Sequence, residues 1–200
     1  MVTRISALTT AALITFLTFS VDAEAQRNKE KPDRSQAATV SQTIGVDDEI
    51  TITYHRPGVK GRNVWEENSD NERIGRLVPF NEDPRPWRAG ANEATTITLT
   101  ADVKVEGEHL AAGTYAVFMI PTEEDWTVVF SKKANQWGSF RYSKEDDALR
   151  VPVTPDAAPH QEWLQFGFDE PMAYGATAYL HWEKVKVPFK IELAEQPEGE

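Results

Sequence analysis

The residues best suited to chemistry lie in one stretch, residues 84–99, which reads PRPWRAGANEATTITL. Around its glycine stand an aromatic ring, a guanidinium, an amide and a carboxylate, supplied by Trp87, Arg88, Asn92 and Glu93. Such groups suit the recognition of carboxylate, phosphate or hydroxyl groups. Because binding residues are often carried by loops on a rigid sheet, this stretch predicts a ligand site.

A basic run, RPGVKGR at residues 56–62, adds three cationic side chains to this candidate site. The predicted ligand-binding set is Arg56, Lys60, Arg62, Trp87, Arg88, Asn92 and Glu93. Two arginines brought close together would repel, so Glu93 is expected to lie between Arg56 and Arg88. Any guanidinium left unpaired would then bind a small anionic or sugar-like ligand.

Two other functions stay open beside non-catalytic binding, which the residues favour. Glu93 or His55 could serve as the general acid or base of a hydrolase or lyase. Alternatively, Arg88 and Glu93 could pair with each other and lock the loop to the sheet, in a purely structural or interaction domain. The chain has neither Gly-x-Ser-x-Gly nor Ser-x-x-Lys, and it contains no cysteine, so the usual serine and thiolate nucleophile patterns are missing.

No metal, cofactor or nucleic acid is expected to bind. The four histidines never occur as His-x-His or His-x-x-x-His, so only long-range convergence, for example of His55 with His181, could build a metal site. The formal net charge of -11 is opposite to the basic footprint of a nucleic-acid binder. No motif specifies a protein partner.

The N-terminal residues are typical of an export signal. Arg4 precedes an almost uncharged run at residues 5–19, and Ala23-Glu24-Ala25 fits a cleavage site between small residues. The sequence therefore predicts a signal peptide at 1–25, a disordered linker at 26–38, a folded domain at 39–193 and a disordered tail at 194–200. The mature protein is expected to be periplasmic or secreted, with no membrane span after signal removal.

The elements that must position the candidate site are short strands. Ile50, Ile52 and Tyr54 alternate with polar residues, Glu106-Gly107 marks a hairpin turn, and residues 114–120 are apolar on both faces and should be central. Nine or ten such strands predict an all-β fold, an antiparallel β-sandwich or jelly-roll. Pro188 cannot donate a ladder hydrogen bond, which predicts an edge position for the last strand.

Strand alternation also predicts the members of the core. Phe118, Val128, Phe166 and Leu180 each belong to the apolar set of a predicted strand. We therefore expect all four side chains to be buried between or against the sheets.

Several blocks together resemble one known family, that of secreted bacterial proteins catalogued as domain of unknown function 2911. The likeness rests on RPGVKGR at 56–62, PWRAGANEATTI at 86–97, LAAGTYAVFMIP at 110–121, NQWGSF at 135–140 and WEKVKVPFKI at 182–191. It spans about residues 39–193. The resemblance implies an exported, all-β single domain, and it implies no activity, cofactor or catalytic residue.

Overall fold

A computed structural model describes residues 34–65, 78–82 and 85–195 of this chain. Ten strands make up almost all of its regular structure: β1 (Ala37–Ile44), β2 (Asp48–His55), β3 (Thr95–Leu99), β4 (Val103–Val105), β5 (Glu108–Leu110), β6 (Gly113–Ile120), β7 (Trp126–Ser131), β8 (Asp147–Val153), β9 (Asp156–Met172) and β10 (Gly175–Leu193). In the described residues, helical structure is limited to a 3-10 turn at Lys144–Asp146. None of the described helices is long and apolar enough to cross a membrane.

The strands form two antiparallel sheets that pack face to face, as predicted for an all-β sandwich. One sheet has six strands in the order β1-β2-β3-β6-β7-β8, and the other has four in the order β5-β4-β10-β9. Aromatic pairs join the sheets across the core: Phe130 of β7 meets Phe189 of β10, with ring centroids 6.3 Å apart. Tyr54 of β2 likewise meets Phe166 of β9 at 5.0 Å.

β6 is central in the larger sheet, and both of its faces are buried, as predicted. Val117 and Met119 point into the main core between the sheets. Ala116 and Phe118 point the other way, into a second apolar cluster against which Tyr142 packs. The chain after β7 therefore covers the outer face of the larger sheet, which explains why this strand carries no polar face.

The predicted core residues and the hairpin turn are confirmed. Phe118, Val128 and Leu180 are fully buried, and Phe166 is almost so. Glu106 and Gly107 both have positive φ, 49° and 85°, between the paired strands β4 and β5. Two such residues in a two-residue loop are the geometry that matches the twist of a hairpin.

The edge position predicted for the last strand is wrong. β10 lies between β4 and β9, and it is a single strand of 19 residues. Its pairing with β9 ends at Lys186, and its pairing with β4 begins at Ile191. Pro188 falls between these two pairings, so a proline is accommodated in an interior strand without breaking a ladder.

The described residues begin and end close to the predicted domain limits. β1 begins at Ala37, two residues before the expected start, and Arg56 N donates to Gln36 O at 3.0 Å. Ala194 N donates to Asp102 O at 2.9 Å, just beyond β10. The predicted signal peptide, residues 26–33 of the linker and residues 196–200 lie outside the described residues.

Candidate functional site

The stretch around Gly90 is a loop that bulges out of the sheet. Trp87 pairs with Met119 of β6, and Thr95 pairs with Val117 of the same strand. The chain thus advances eight residues where its partner advances two, so six residues are extra. We call residues 88–94 the excursion loop. The loop leaves the line of β3 after Trp87 and rejoins it at Thr95, close to the point where it left.

The neck and the interior of the excursion loop are held by hydrogen bonds. Thr95 Oγ1 donates to Ala89 O at 2.9 Å, which closes the neck. Ala89 and Asn92 have φ values of 50° and 57°, a left-handed conformation that ordinary residues rarely adopt. Two such residues in one short loop indicate that the surrounding contacts fix its shape.

The loop after β7 clasps the excursion loop from outside. Gly138 N donates to Asn92 O at 3.0 Å, and Ala94 N donates to Gln136 O at 3.0 Å. Glu93 and Trp137 form an isolated antiparallel bridge between the two loops. The polar residues of the excursion loop are therefore held in place by contacts with the sheet and with the loop after β7.

Gly90 brings the excursion loop against the end of β2. A Cβ built on Gly90 would lie 3.0 Å from His55 O and 3.2 Å from Thr95 Oγ1. The glycine is required here for close approach, because any side chain would push the loop away from His55.

His55 and Glu93 form the closest pair of ionisable groups in this region. Their Nε2 and Oε2 atoms lie 3.4 Å apart, and the side chains are 6% and 18% exposed. The sequence suggested these two residues as alternative acid–base candidates, and the structure brings them together. A carboxylate beside a largely buried imidazole fixes the orientation of the ring.

Arg88 is the half-buried cation of the excursion loop. Its Nη1 donates to Asn92 O at 3.0 Å. Burial lowers the pKa of Arg88 below its ordinary value, because desolvation disfavours the charged form. Among the residues that the structure describes, no carboxylate lies within ion-pair distance of this guanidinium.

The predicted bridging role of Glu93 between two arginines is wrong for the described residues. Glu93 contacts His55, while Arg56 Nε donates to Leu164 O at 2.9 Å on β9. Successive residues of a strand point in opposite directions, so His55 turns toward the excursion loop and Arg56 turns away from it.

Lys60 and Arg62 lie on the other side of Arg56, against β9. Lys60 N donates to Glu162 Oε1 at 2.9 Å, and Lys60 Nζ lies 5.4 Å from the centroid of Trp163. Arg62 Nε donates to Val59 O at 3.0 Å within its own turn. The seven predicted residues therefore divide into two groups and do not surround one ligand.

Trp87 is a core residue. It is only 4% exposed, and its ring stacks on Trp182 at 5.9 Å with an interplanar angle of 17°. Trp65 meets it edge to face at 5.9 Å and meets Trp126 at 5.2 Å. We call Trp65, Trp87, Trp126 and Trp182 the tryptophan cluster. The aromatic residue predicted to stack on a ligand therefore packs on other tryptophans.

A pocket of about 320 Å³ opens beside this cluster. It is lined by Trp65, Val78, Phe80, Pro121, Thr122, Trp126, Pro155, Asp156, Ala157, Lys184 and Val185. Its volume is at the lower end of the range for small-molecule sites, and its walls are mainly apolar with a few polar groups at hand. The indole nitrogens of Trp65 and Trp182 are buried and have no hydrogen-bond partner among the residues that the structure describes.

The sequence missed this pocket although it contained a signal for it. Six tryptophans in 200 residues were a signal for an aromatic-lined site, but Trp65 and Trp126 lie 61 residues apart and nothing in the sequence showed that they meet. The pocket is assembled from five separate parts of the chain, and only their packing brings them together.

The described residues offer no metal centre. No group of three or more His, Asp or Glu side chains among them is arranged to hold a metal ion. His181, which was considered as a partner for His55, instead makes a 2.9 Å contact between its Nε2 and Pro159 O.

The comparison with known proteins gives a family and no activity. No curated protein and no solved structure matches the chain. One family model, described as protein of unknown function (DUF2911), matches residues 35–191, which is more than half of the chain. That range runs from just before β1 to within β10 and includes both the excursion loop and the tryptophan cluster. The chain therefore belongs to the DUF2911 family.

Proposed function

We propose that this chain is an exported binding module that takes a small carbohydrate-like ligand in the pocket beside the tryptophan cluster. The observation that carries this proposal is the 320 Å³ cavity with Trp65, Phe80 and Trp126 in its walls. Flat aromatic faces pack well on the apolar face of a sugar ring. The function is non-catalytic binding, in which the sheets hold a preformed site.

Polar groups at the pocket suit an amphipathic ring better than a hydrocarbon. Asp156 and Lys184 both line the cavity and both are exposed, so they can reach hydroxyl groups of a ligand at its mouth. Within the described part of the chain, the buried indole N–H of Trp65 has no acceptor. A hydroxyl oxygen within reach would satisfy this donor and remove the cost of leaving it unpaired.

Filling the pocket tests the proposal. Ala157 lines it yet is exposed, so Ala157→Phe should occupy the cavity without disturbing the core. Ala111→Phe, at another exposed alanine outside the lining, is the matched control. Tryptophan fluorescence would be titrated with N-acetylglucosamine and with its disaccharide. A saturable change in the wild type and in Ala111→Phe, lost in Ala157→Phe, supports the proposal; a response that Ala157→Phe retains contradicts it.

A hydrolase or lyase is the second candidate function, and the contact between His55 and Glu93 favours it. A carboxylate that orients an imidazole is a common arrangement for general acid–base catalysis. Turnover of nitrophenyl esters or glycosides by the wild type, abolished by His55→Gln with binding retained, would establish this function. Equal background rates for the wild type and His55→Gln would exclude it for those substrates.

Export is the part of the proposal that the N-terminal sequence supports. The positive residue, the apolar run and the Ala23-Glu24-Ala25 site predict a mature chain that begins at Gln26. N-terminal sequencing of the protein from its native host should return Gln26 or a close neighbour. A sequence that begins at Met1 or Val2 would contradict export with cleavage.

A further inference from the structure

Arg88 carries more hydrogen-bonding capacity than the structure uses. A guanidinium has five N–H donors, and among the described residues one of them is occupied, by Asn92 O. Neither Nε nor Nη2 of Arg88 is a fully enclosed atom without a partner among the described residues, so these donors keep some access to solvent. With Nη1 held by the excursion loop, the Nε–Nη2 edge is the part left to bind something else.

The backbone beside Arg88 is shaped to accommodate its guanidinium, because the neighbouring residue is a glycine and has no Cβ that would clash with it. A Cβ on Gly138 would lie 2.6 Å from Arg88 Nη1 and 3.2 Å from Phe140 Cδ2. Gly138 also has a φ of 62°, a value that favours glycine. The guanidinium and the phenyl ring therefore both lie close to the space that a side chain at Gly138 would occupy, so they are near one another.

Phe140 is the second unusual feature of this place. Its side chain is 65% exposed, which is high for a phenylalanine. Arg85 lies over its ring, with the Cζ atom 4.9 Å from the centroid. A second positive charge thus stands next to the exposed ring. An exposed apolar ring with two guanidinium groups nearby is a combination that favours a ligand with a negative group and a flat apolar body.

We propose that Arg88, Phe140 and Arg85 form a binding site for a small organic carboxylate with an aromatic body. The Nε–Nη2 edge of Arg88 would accept the two carboxylate oxygens in a bidentate pair, the geometry that a guanidinium fork fits best. The aromatic body would contact Phe140. This site is separate from the tryptophan-lined pocket and does not rest on a ligand there.

Non-specific attraction does not explain anion binding at this place. The chain has a formal net charge of -11, so its overall field repels anions. A carboxylate that binds must therefore gain its free energy locally, from the guanidinium fork and the ring. Binding at Arg88 is expected to saturate, which distinguishes it from weak condensation of salt.

The test is an NMR titration of the Arg88 side-chain N–H resonances in the wild type, assigned directly. Benzoate, acetate and chloride are the probes, added at constant ionic strength. Benzoate should shift the Arg88 Nε–H resonance in a saturable way, acetate should do so at least several-fold more weakly, and chloride should have no saturable effect. Equal, unsaturated shifts with all three anions would overturn the proposal.

Variants assign the binding to the named groups. The variants are followed at the backbone N–H resonance of residue 138, which lies beside the guanidinium, because Arg88→Gln removes the Arg88 side-chain resonance itself. Arg88→Gln should abolish the benzoate response there, while Arg141→Gln, which removes an exposed arginine from the loop after β7, should preserve it. Phe140→Ala should reduce the preference for benzoate over acetate, because the ring contact is lost. If Arg88→Gln does not fold, Gly138→Ala gives the same answer by displacing the guanidinium. Benzoate binding that survives in Arg88→Gln or Gly138→Ala overturns the proposal.

The pocket variant separates this proposal from the proposed function. Ala157→Phe fills the tryptophan-lined cavity and does not touch the excursion loop. It should lose the saccharide response and keep the benzoate response. Loss of both responses would show that benzoate enters the cavity, and the Arg88 site would be withdrawn.

Discussion

His55 Nε2 lies 3.4 Å from Glu93 Oε2, and this contact ties the end of β2 to the excursion loop that precedes β3. Both side chains are mostly buried, so the contact between them offsets part of the loss of water. The contact lies at the point where Gly90 approaches the backbone of His55. It therefore fixes the place from which the excursion loop projects.

Removal of the Glu93 carboxylate should destabilise the protein. Glu93→Gln is expected to lower the free energy of unfolding by about 2 kcal/mol, because a largely buried imidazole loses its charged partner. Urea unfolding at pH 7 measures the change. Glu108→Gln, at an exposed position in β5, is the control and should stay close to the wild type. Equal midpoints for the two variants would show that the pair contributes nothing to stability.

Truncation of Phe118 should be costly because the residue fills the second apolar cluster. Phe118 is fully buried, and its ring meets Tyr142 edge to face at 5.1 Å. Phe118→Ala is expected to cost about 3–5 kcal/mol, the usual range for a packed aromatic. Thermal or urea unfolding would compare it with Lys144→Ala on the surface. A similar midpoint for both variants would mean that the outer face of β6 is not a true core.

Trp87 should likewise behave as a core residue and not as a ligand contact. Trp87→Ala is expected to lower stability by about 3–5 kcal/mol, since the ring is stacked within the tryptophan cluster. Trp163→Ala, at a tryptophan that is 41% exposed, is the matched control and should cost much less. A near-native unfolding midpoint for Trp87→Ala would restore the prediction that this residue serves ligand binding.

The sequence predicted the sheets better than the candidate site. The strand patterns depend on residues that are close together in the chain, whereas the contacts of the site join residues that are far apart in it. Alternation at Ile50 and Ile52, or burial of both faces around Phe118, depends on near neighbours in the chain, and the structure confirms those patterns. The partner of Glu93 depends on how the seven-residue excursion loop folds back on His55. No local periodicity encodes how this loop folds back. The sequence therefore predicted arginines as the partners of Glu93 because of their charge, whereas the structure places His55 beside it.

Pro188 shows the same limit within the sheet itself. A proline excludes one ladder hydrogen bond, which is a local fact, and the edge position was inferred from it. Whether a neighbouring strand needs that hydrogen bond depends on where along β10 its pairing with β9 ends and its pairing with β4 begins. β9 pairs with β10 up to Lys186 and β4 pairs from Ile191, so the interior strand tolerates the proline.

Acid should weaken a polar network that joins residue 82 to β8. Arg150 Nη2 donates to Glu82 Oε1 at 2.8 Å, and Arg150 Nε donates to Asp147 Oδ2 at 2.6 Å. The hydrogen bond from Arg150 holds the pKa of Glu82 below its ordinary value, although partial burial opposes this. The ionised form is thus stabilised by folding.

The sign of the pH dependence follows from that direction. Because the folded pKa of Glu82 is lowered, its contribution is fully present above the unfolded value of about 4.3 and is lost as the pH falls through the lower folded value. Glu82→Gln should therefore have a lower free energy of unfolding than the wild type at pH 7. The difference between the two should shrink as the pH falls. The side chain is 33% exposed, so the difference at pH 7 is expected to be about 1 kcal/mol or less.

Urea unfolding at a series of pH values measures this difference, with Glu124→Gln at an exposed turn as the control. A constant offset between Glu82→Gln and the wild type across the whole acid range would show that the ionisation of Glu82 is not linked to folding.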